Sequence, residues 1–185
     1  MSLASIWYYS ERALWFAVPV SLLWAILYIC KIRLRGKKLI SNRFLCSVFF
    51  VFYLAALTQM IVIRDWKDFF DLTYTDALTE IILVPLRTTI RDAREMGVLW
   101  ECYHIAGNIA VFAPFGFLCA VLYPKLRTWC RIPLATLGVS FFLEVMQCVF
   151  QTGVSDVDDL ILNTLGGCIG FWLWRLWMKR RRTHG

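Results

Sequence analysis

The sequence predicts an all-α, polytopic membrane helix bundle with five transmembrane helices, and three observations predict it. The 185 residues are 59% hydrophobic and 18% charged, with a mean hydropathy of +0.61, too apolar for an ordinary water-soluble domain. Five segments reach the roughly 17 to 25 apolar residues a helix needs to cross a hydrocarbon core. The basic residues behind the formal net charge of +7 are gathered between and after those segments.

In chain order the apolar segments are 13–30, 44–63, 98–123, 132–150 and 160–178. The first is expected to be retained as a helix, because Glu11 and Arg12 make a poor basic leader and no small-residue cleavage site follows. Lys31, Arg33, Arg35, Lys37, Lys38 and Arg43 join the first two spans; Lys125, Arg127 and Arg131 join the third and fourth; Lys179, Arg180, Arg181 and Arg182 follow the fifth. With five spans all three groups fall on one side, which the positive-inside rule makes cytoplasmic. The N-terminus, the 64–97 loop and the 151–158 turn are then outside and the C-terminus cytoplasmic, as expected of a multi-pass protein of the cell membrane. The basic groups read as topology determinants at anionic lipid, not as a nucleic-acid surface.

No linker or repeat divides the chain, so the organisation is an N-terminal helix with its basic loop (1–43), a transmembrane domain (44–178) and a basic tail (179–185). Trp7, Tyr8, Tyr9, Trp66, Trp100, Tyr103, Trp172, Trp174 and Trp177 stand near span ends, where aromatic rings suit headgroup depth. The scattered cysteines show no metal or redox spacing and read as small packing residues. Within the outer loop, 77–86 is apolar but too short to cross. The stretch near 77–90 is therefore expected to be re-entrant or interfacial. With Pro85, Arg87, Arg91 and Arg94 it is either a basic lid over the outer mouth of the bundle or an amphipathic surface segment.

Polar residues recur at helical spacing in the outer halves of the last three spans. Glu101, His104 and Asn108 share one face; Glu144, Gln147 and Gln151 repeat the spacing; Asp156, Asp159 and Asn163 do so again with Asp158 beside them. At about 1.5 Å per residue, Glu144 lies roughly 10 to 13 Å inward of the 151–153 exit. A carboxylate there costs about 2.5 to 3.5 kcal/mol, so it is expected to face the bundle interior, paired, protonated or hydrated. Asn108, Gln147 and Asn163 read either as ligand contacts or as interhelical hydrogen-bond glue. One of the three aspartates is expected to cap the helix they precede. Glu144, His104 and Asp159 are the candidate catalytic groups, and the same three are the only plausible metal ligands, without any local ligand pair to support them. No cofactor, phosphate-loop or nucleophile-elbow signature occurs. Pro114 and Gly116 are expected to kink or break the third span below Asn108, leaving a pocket floor under the polar cluster.

These motifs together resemble the VanZ-like membrane protein family. The resemblance is carried by Asn108, Phe112, Pro114, Phe115 and Gly116; by Ser140, Glu144 and Gln147 on the next helix; and by Asp156, Asp158 and Asp159 leading into Asn163, Leu165, Gly166, Gly167 and Gly170. The segment LVPLRT at 83–88 matches as well, so the likeness runs from about Phe44 to Trp177. Val154 stands where the family pattern has an arginine, and that arginine's work falls here to Arg64, Arg87 or Arg91, or is not done. The resemblance implies association with low-level resistance to lipoglycopeptides such as teicoplanin in a bacterial cell envelope.

Three functions follow as expectations. The first is a binding or resistance protein in which an outward pocket of Asn108, Glu144, Gln147, Asp156, Asp158, Asp159, Asn163, Arg64 and Arg87 engages a membrane lipid, a lipid-linked cell-wall precursor or a lipoglycopeptide. The second is a membrane-embedded enzyme acting on a lipid headgroup. The third is a structural or accessory membrane protein whose polar residues are all packing glue.

Overall fold

The structure, a computed structural model, describes residues 3–36, 41–63, 81–150 and 152–183, with 3–10 and 41 as backbone alone. Arg64, Trp66, Gln151 and the first part of the 77–90 stretch lie outside the described residues, as do the side chains of Trp7, Tyr8 and Tyr9. Nearly every described residue is helical, and the chain divides into two compact units, residues 1–76 and 77–185.

The first unit pairs α1 (Leu3–Leu34) with α2 (Ser41–Thr58), which runs on into a π-helical turn, Gln59–Ile63. Ala13, Ala17 and Ser21 recur every fourth residue on one face of α1 and are buried, while Leu14, Trp15, Val18 and Leu22 on other faces are exposed. Small residues at this spacing let helices approach closely inside a membrane. Gln59, where the wider turn begins, is buried with neither amide atom hydrogen-bonded.

The second unit opens with β1 (Ile81–Ile82), then α3 (Arg87–Glu95), α4 (Val98–Leu122) and a 3₁₀ turn at Pro124–Leu126. It continues with α5 (Arg131–Phe150), β2 (Ser155–Asp156) and α6 (Val157–Thr183). The helix α6 packs mainly on α4 and secondarily on α5, so it is the middle element of the three. The contact with α4 is backbone on backbone. A methyl group at Gly170 would collide with the Ala113 carbonyl, one at Gly166 with the Ile109 carbonyl, and one at Gly116 with Gly167. On the other side, Gly167 lies against Thr136 of α5.

Of the kink or break expected at Pro114, the break does not occur. The helix α4 runs unbroken from Val98 to Leu122 with Pro114 inside it. Proline removes one donor from a helical ladder, and within a membrane bundle neighbouring helices and small local adjustments absorb that loss. Here the following turn, Phe115 and Gly116, is pinned against α6. Trp174 also departs from expectation: it is buried and stacked on Phe171, with ring centroids 5.7 Å apart, whereas Trp172 and Trp177 are exposed. Of the cysteines only Cys119 is buried, so most present an apolar surface outward instead of filling a core.

The unit buries Phe112, Phe115, Leu118, Ile132, Leu143 and Phe171 together with Thr136, Ser140, Glu144, Gln147, Asp158 and Asn163, while Leu134, Phe141, Phe142, Val149, Ile161 and Leu165 face outward. Polar groups inside and large apolar side chains outside suit a hydrocarbon surrounding. Among the described residues, four helices are long and apolar enough to cross a membrane: Glu11–Leu34, Asn42–Ile63, Val98–Leu122 and Arg131–Phe150. The 27 residues of α6 are long enough, but Asn163, its glycines and Arg175 leave it less apolar than those four.

The backbone contact between α4 and α6 is testable. Gly170→Ala lowers stability in detergent by about 1 to 3 kcal/mol through overpacking, whereas Gly138→Ala, with nothing within 4 Å of the added carbon, is neutral or slightly stabilising. Thermal unfolding of the two variants checks this, and equal melting of Gly170→Ala and the parent would refute the close approach.

Candidate functional site

The polar residues singled out by spacing converge on the first turns of α6. Asp156 is the residue before α6, and its Oδ1 accepts the Asp158 N–H at 2.9 Å, the arrangement of an N-cap. Asp158, in the first turn, reaches back across the chain. Its two oxygens accept the Leu86 N–H at 2.8 and 3.0 Å, and Oδ2 also accepts the Thr89 hydroxyl at 2.9 Å. Beside this clamp, β1 and β2 pair in parallel, Ile81 with Ser155 and Ile82 with Asp156.

The clamped segment is a tight turn. Val84 accepts the Arg87 N–H at 3.3 Å across Pro85 and Leu86, and Leu86 has φ 64°, ψ 2°. Proline followed by a residue at positive φ is the pattern of a type II turn, whose third position ordinarily favours glycine. Leucine there is strained, and the two-pronged bond from Asp158 is what holds its N–H. The 77–90 stretch is therefore, over its described part, a short bridge and a turn fastened to the acidic residues, followed by the exposed helix α3.

Two further carboxylates retain unused acceptor capacity. Asp159 Oδ1 accepts a bond from Asn108 Nδ2 at 2.6 Å, joining α6 to α4, and Asp159 lies within electrostatic reach of His104, Asp156 and Asp158. Glu144 is buried on α5, and its Oε2 accepts the Asp156 N–H at 3.2 Å while its backbone carbonyl accepts the Ser155 hydroxyl at 3.0 Å. One turn away Gln147 is buried as well. Asn163 donates to Ser140 Oγ at 2.9 Å, tying α6 to α5, and its Oδ1 is buried without a partner.

The three stripes thus meet, though not as uniform faces. Glu101 is buried, His104 exposed and Asn108 half-buried on α4. Arg87 and Arg91 are exposed on α3, and Arg91 pairs with the adjacent Asp92 at 3.1 Å. Among the described residues the aspartates accept from backbone N–H groups, a threonine hydroxyl and an asparagine amide, while Arg64, one of the three arginines to which the missing arginine's work could fall, lies outside them. Among the described residues no group of three His, Cys, Asp or Glu side chains could hold a metal ion, so His104, Glu144 and Asp159 are not gathered as a ligand set.

A cavity of about 240 Å³ opens beside Glu144, walled by Ile82, Leu83, Phe141, Val145, Val149 and Leu160. It lies between β1, α5 and the start of α6; neither Pro114 nor Asn108 lines it, so the pocket floor expected below Asn108 is replaced by this apolar recess. Thr89, Ser155 and the Leu86 N–H were not foreseen as parts of the site. The signal available for Thr89 was its position just after a proline turn at a helix start.

A family model described as VanZ/LLP1 matches residues 50–178. The chain belongs to the VanZ/LLP1 family. It is also similar to Protein VanZ of Enterococcus faecium, 33% identical over 69 residues, which make up 37% of this chain and 42% of that protein. The chain therefore spans less than half the length of that curated relative. No solved structure gives a significant match. The VanZ/LLP1 match takes in the whole of the site, from the Leu86 turn on through α4, α5 and the first turns of α6.

Asp158→Ala releases the Leu86 N–H and the Thr89 hydroxyl and costs about 2 to 4 kcal/mol. Leu86→Gly removes the positive-φ strain and changes stability by less than about 1 kcal/mol. Limited trypsin digestion followed by mass analysis reads both: cleavage after Arg87 accelerates in Asp158→Ala and stays at the parental rate in Leu86→Gly.

Proposed function

We propose that this VanZ/LLP1 protein binds an amphiphile at the outer face of the cell membrane and thereby gives low-level resistance to lipoglycopeptides of the teicoplanin type. The ligand is a membrane lipid, a lipid-linked cell-wall precursor or the drug itself. One observation carries the reading: a buried carboxylate, Glu144, forms part of the wall of an otherwise largely apolar cavity of about 240 Å³. Such a site suits a molecule with an acyl or aryl part for the cavity and a polar part for Glu144, Asp159 and Asn108. Gln147, Asp156, Asp158 and Asn163 hold this arrangement together or contribute to it, and Arg87, exposed at the start of α3, belongs to the same proposed surface.

Orientation is part of the proposal. We take α6 as a fifth span, supported by its length and by the outward-facing Ile161, Leu165, Trp172 and Leu173. The N-terminus and the Glu144 site are then outside, and the basic ends cytoplasmic.

A second reading, a membrane-embedded enzyme acting on a lipid headgroup, is favoured by one feature. His104 is exposed and in electrostatic reach of Asp159, which Asn108 steadies, so an imidazole with a carboxylate behind it is present for acid–base work.

Drug susceptibility of a host expressing the parent, Glu144→Gln or Asp159→Ala separates these readings. At equal membrane abundance, both substitutions return the host to the susceptibility of a strain without the protein, and unchanged protection in Glu144→Gln would sink the binding proposal. Lipid profiling with parent and His104→Ala tests the enzyme: catalysis requires a headgroup change that disappears in the variant, and identical lipid profiles with and without the parent rule it out.

A further inference from the structure

At the other end of the second unit, the connection between the 3₁₀ turn and α5, with Arg127 and Trp129, and the last turns of α6 line a cleft of about 740 Å³. Arg127, Arg175, Lys179 and Arg182 line it together with Trp129 and Trp174, and no acidic side chain is among its lining residues. Arg175, Lys179 and Arg182 stand at i, i+4 and i+7 on α6, one helical face. Like charges so spaced repel. The sequence offers them no local relief, since no Asp or Glu occurs in 102–143 or 160–185.

Two of these cations are held in place. The Arg127 guanidinium lies 4.8 Å from the centroid of the Trp174 ring, and its Nε donates to the Ala120 carbonyl at 2.8 Å, closing the end of α4. Arg175 lies 5.5 Å from the Trp129 ring, and Trp129 meets Phe171 edge-on. Stacking on aromatic faces fixes a guanidinium without neutralising it. Lys179 and Arg182 stand exposed at the rim. The result is a preformed pocket of positive charge with no acidic side chain in its lining, walled by Trp129 and Trp174.

We propose that this cleft binds the phosphate of an anionic phospholipid headgroup. Its volume falls within the range of small-molecule sites, and basic pockets between helix ends are a recurrent mode of anionic lipid recognition. The Trp129 and Trp174 rings and the Arg127 and Arg175 guanidinia supply the fixed wall; Lys179 and Arg182 supply the mobile donors that close on the phosphate oxygens.

The test is a titration of the purified full-length protein in neutral detergent, followed by tryptophan fluorescence. The probes are short-chain phosphatidylglycerol, phosphatidylcholine of the same chain length and inorganic phosphate. Saturable binding of phosphatidylglycerol alone, weakened by added salt, is the expected result. The pair Lys179→Gln and Arg182→Gln lowers that affinity roughly 30-fold, while the exchange Lys179→Arg and Arg182→Lys keeps it. As a control of equal charge, Arg180→Gln with Arg181→Gln lies outside the cleft lining and leaves affinity unchanged. The proposal fails if phosphatidylcholine binds as well. It also fails if inorganic phosphate competes at matching concentration, which would mark a free-phosphate site, or if the control pair weakens binding as much as the cleft pair, which would mark diffuse surface charge.

Discussion

The site depends on the close approach of α4 and α6. Where Gly116, Gly166 and Gly170 bring backbone against backbone, the helix ends on the acidic side are near enough for Asn108 to reach Asp159. In hydrocarbon there is no water to complete a polar side chain. A bundle can therefore keep Asn108, Glu144, Asp158, Asp159 and Asn163 only if its helices are tight enough to let them satisfy one another. Side chains in place of the glycines would separate α6 from α4, and an amide or carboxylate left alone would cost several kcal/mol. Packing by small residues and the presence of buried polar groups are thus one property of this unit.

The carboxylates divide by how much of their capacity the fold uses. Asp156 caps a helix and Asp158 fastens a strained turn, so both have structural duties that explain why they are acidic. Glu144 accepts a long bond from the Asp156 N–H with the Ser155 hydroxyl beside it, and Asp159 one bond from an amide. A neutral side chain would serve such limited duties at lower cost. It is this excess, beside an apolar recess, that sets Glu144 and Asp159 apart from the glue around them.

The helices were legible because hydropathy and the segregation of basic residues act over twenty residues at a time. The polar stripes were legible because helical spacing is regular, and they do meet. Pro114 does not break α4 because a proline's effect is set by what surrounds it, and the α6 surface facing Gly116 cannot be read from α4 alone. The two-residue bridge between Ile81–Ile82 and Ser155–Asp156 was invisible for a different reason: pairing so short leaves no periodicity. Most hidden of all was the donor for Asp158. Its partner is the main-chain N–H of Leu86, a group every residue but proline possesses.

The clamp between Leu86 and Asp158 joins positions 72 residues apart. At a translation rate of about 5 to 20 residues per second, Leu86 leaves the ribosome roughly 4 to 14 seconds before its acceptor exists. During that interval the proline turn has nothing to hold its left-handed residue, and Ile81 and Ile82 have no strand to lie beside. Only when α5 has been inserted and the chain has turned back to begin α6 can the acidic residues capture the waiting segment. Closure of this turn is therefore a late step in biogenesis, one that registers the arrival of α6, the last helix of the unit.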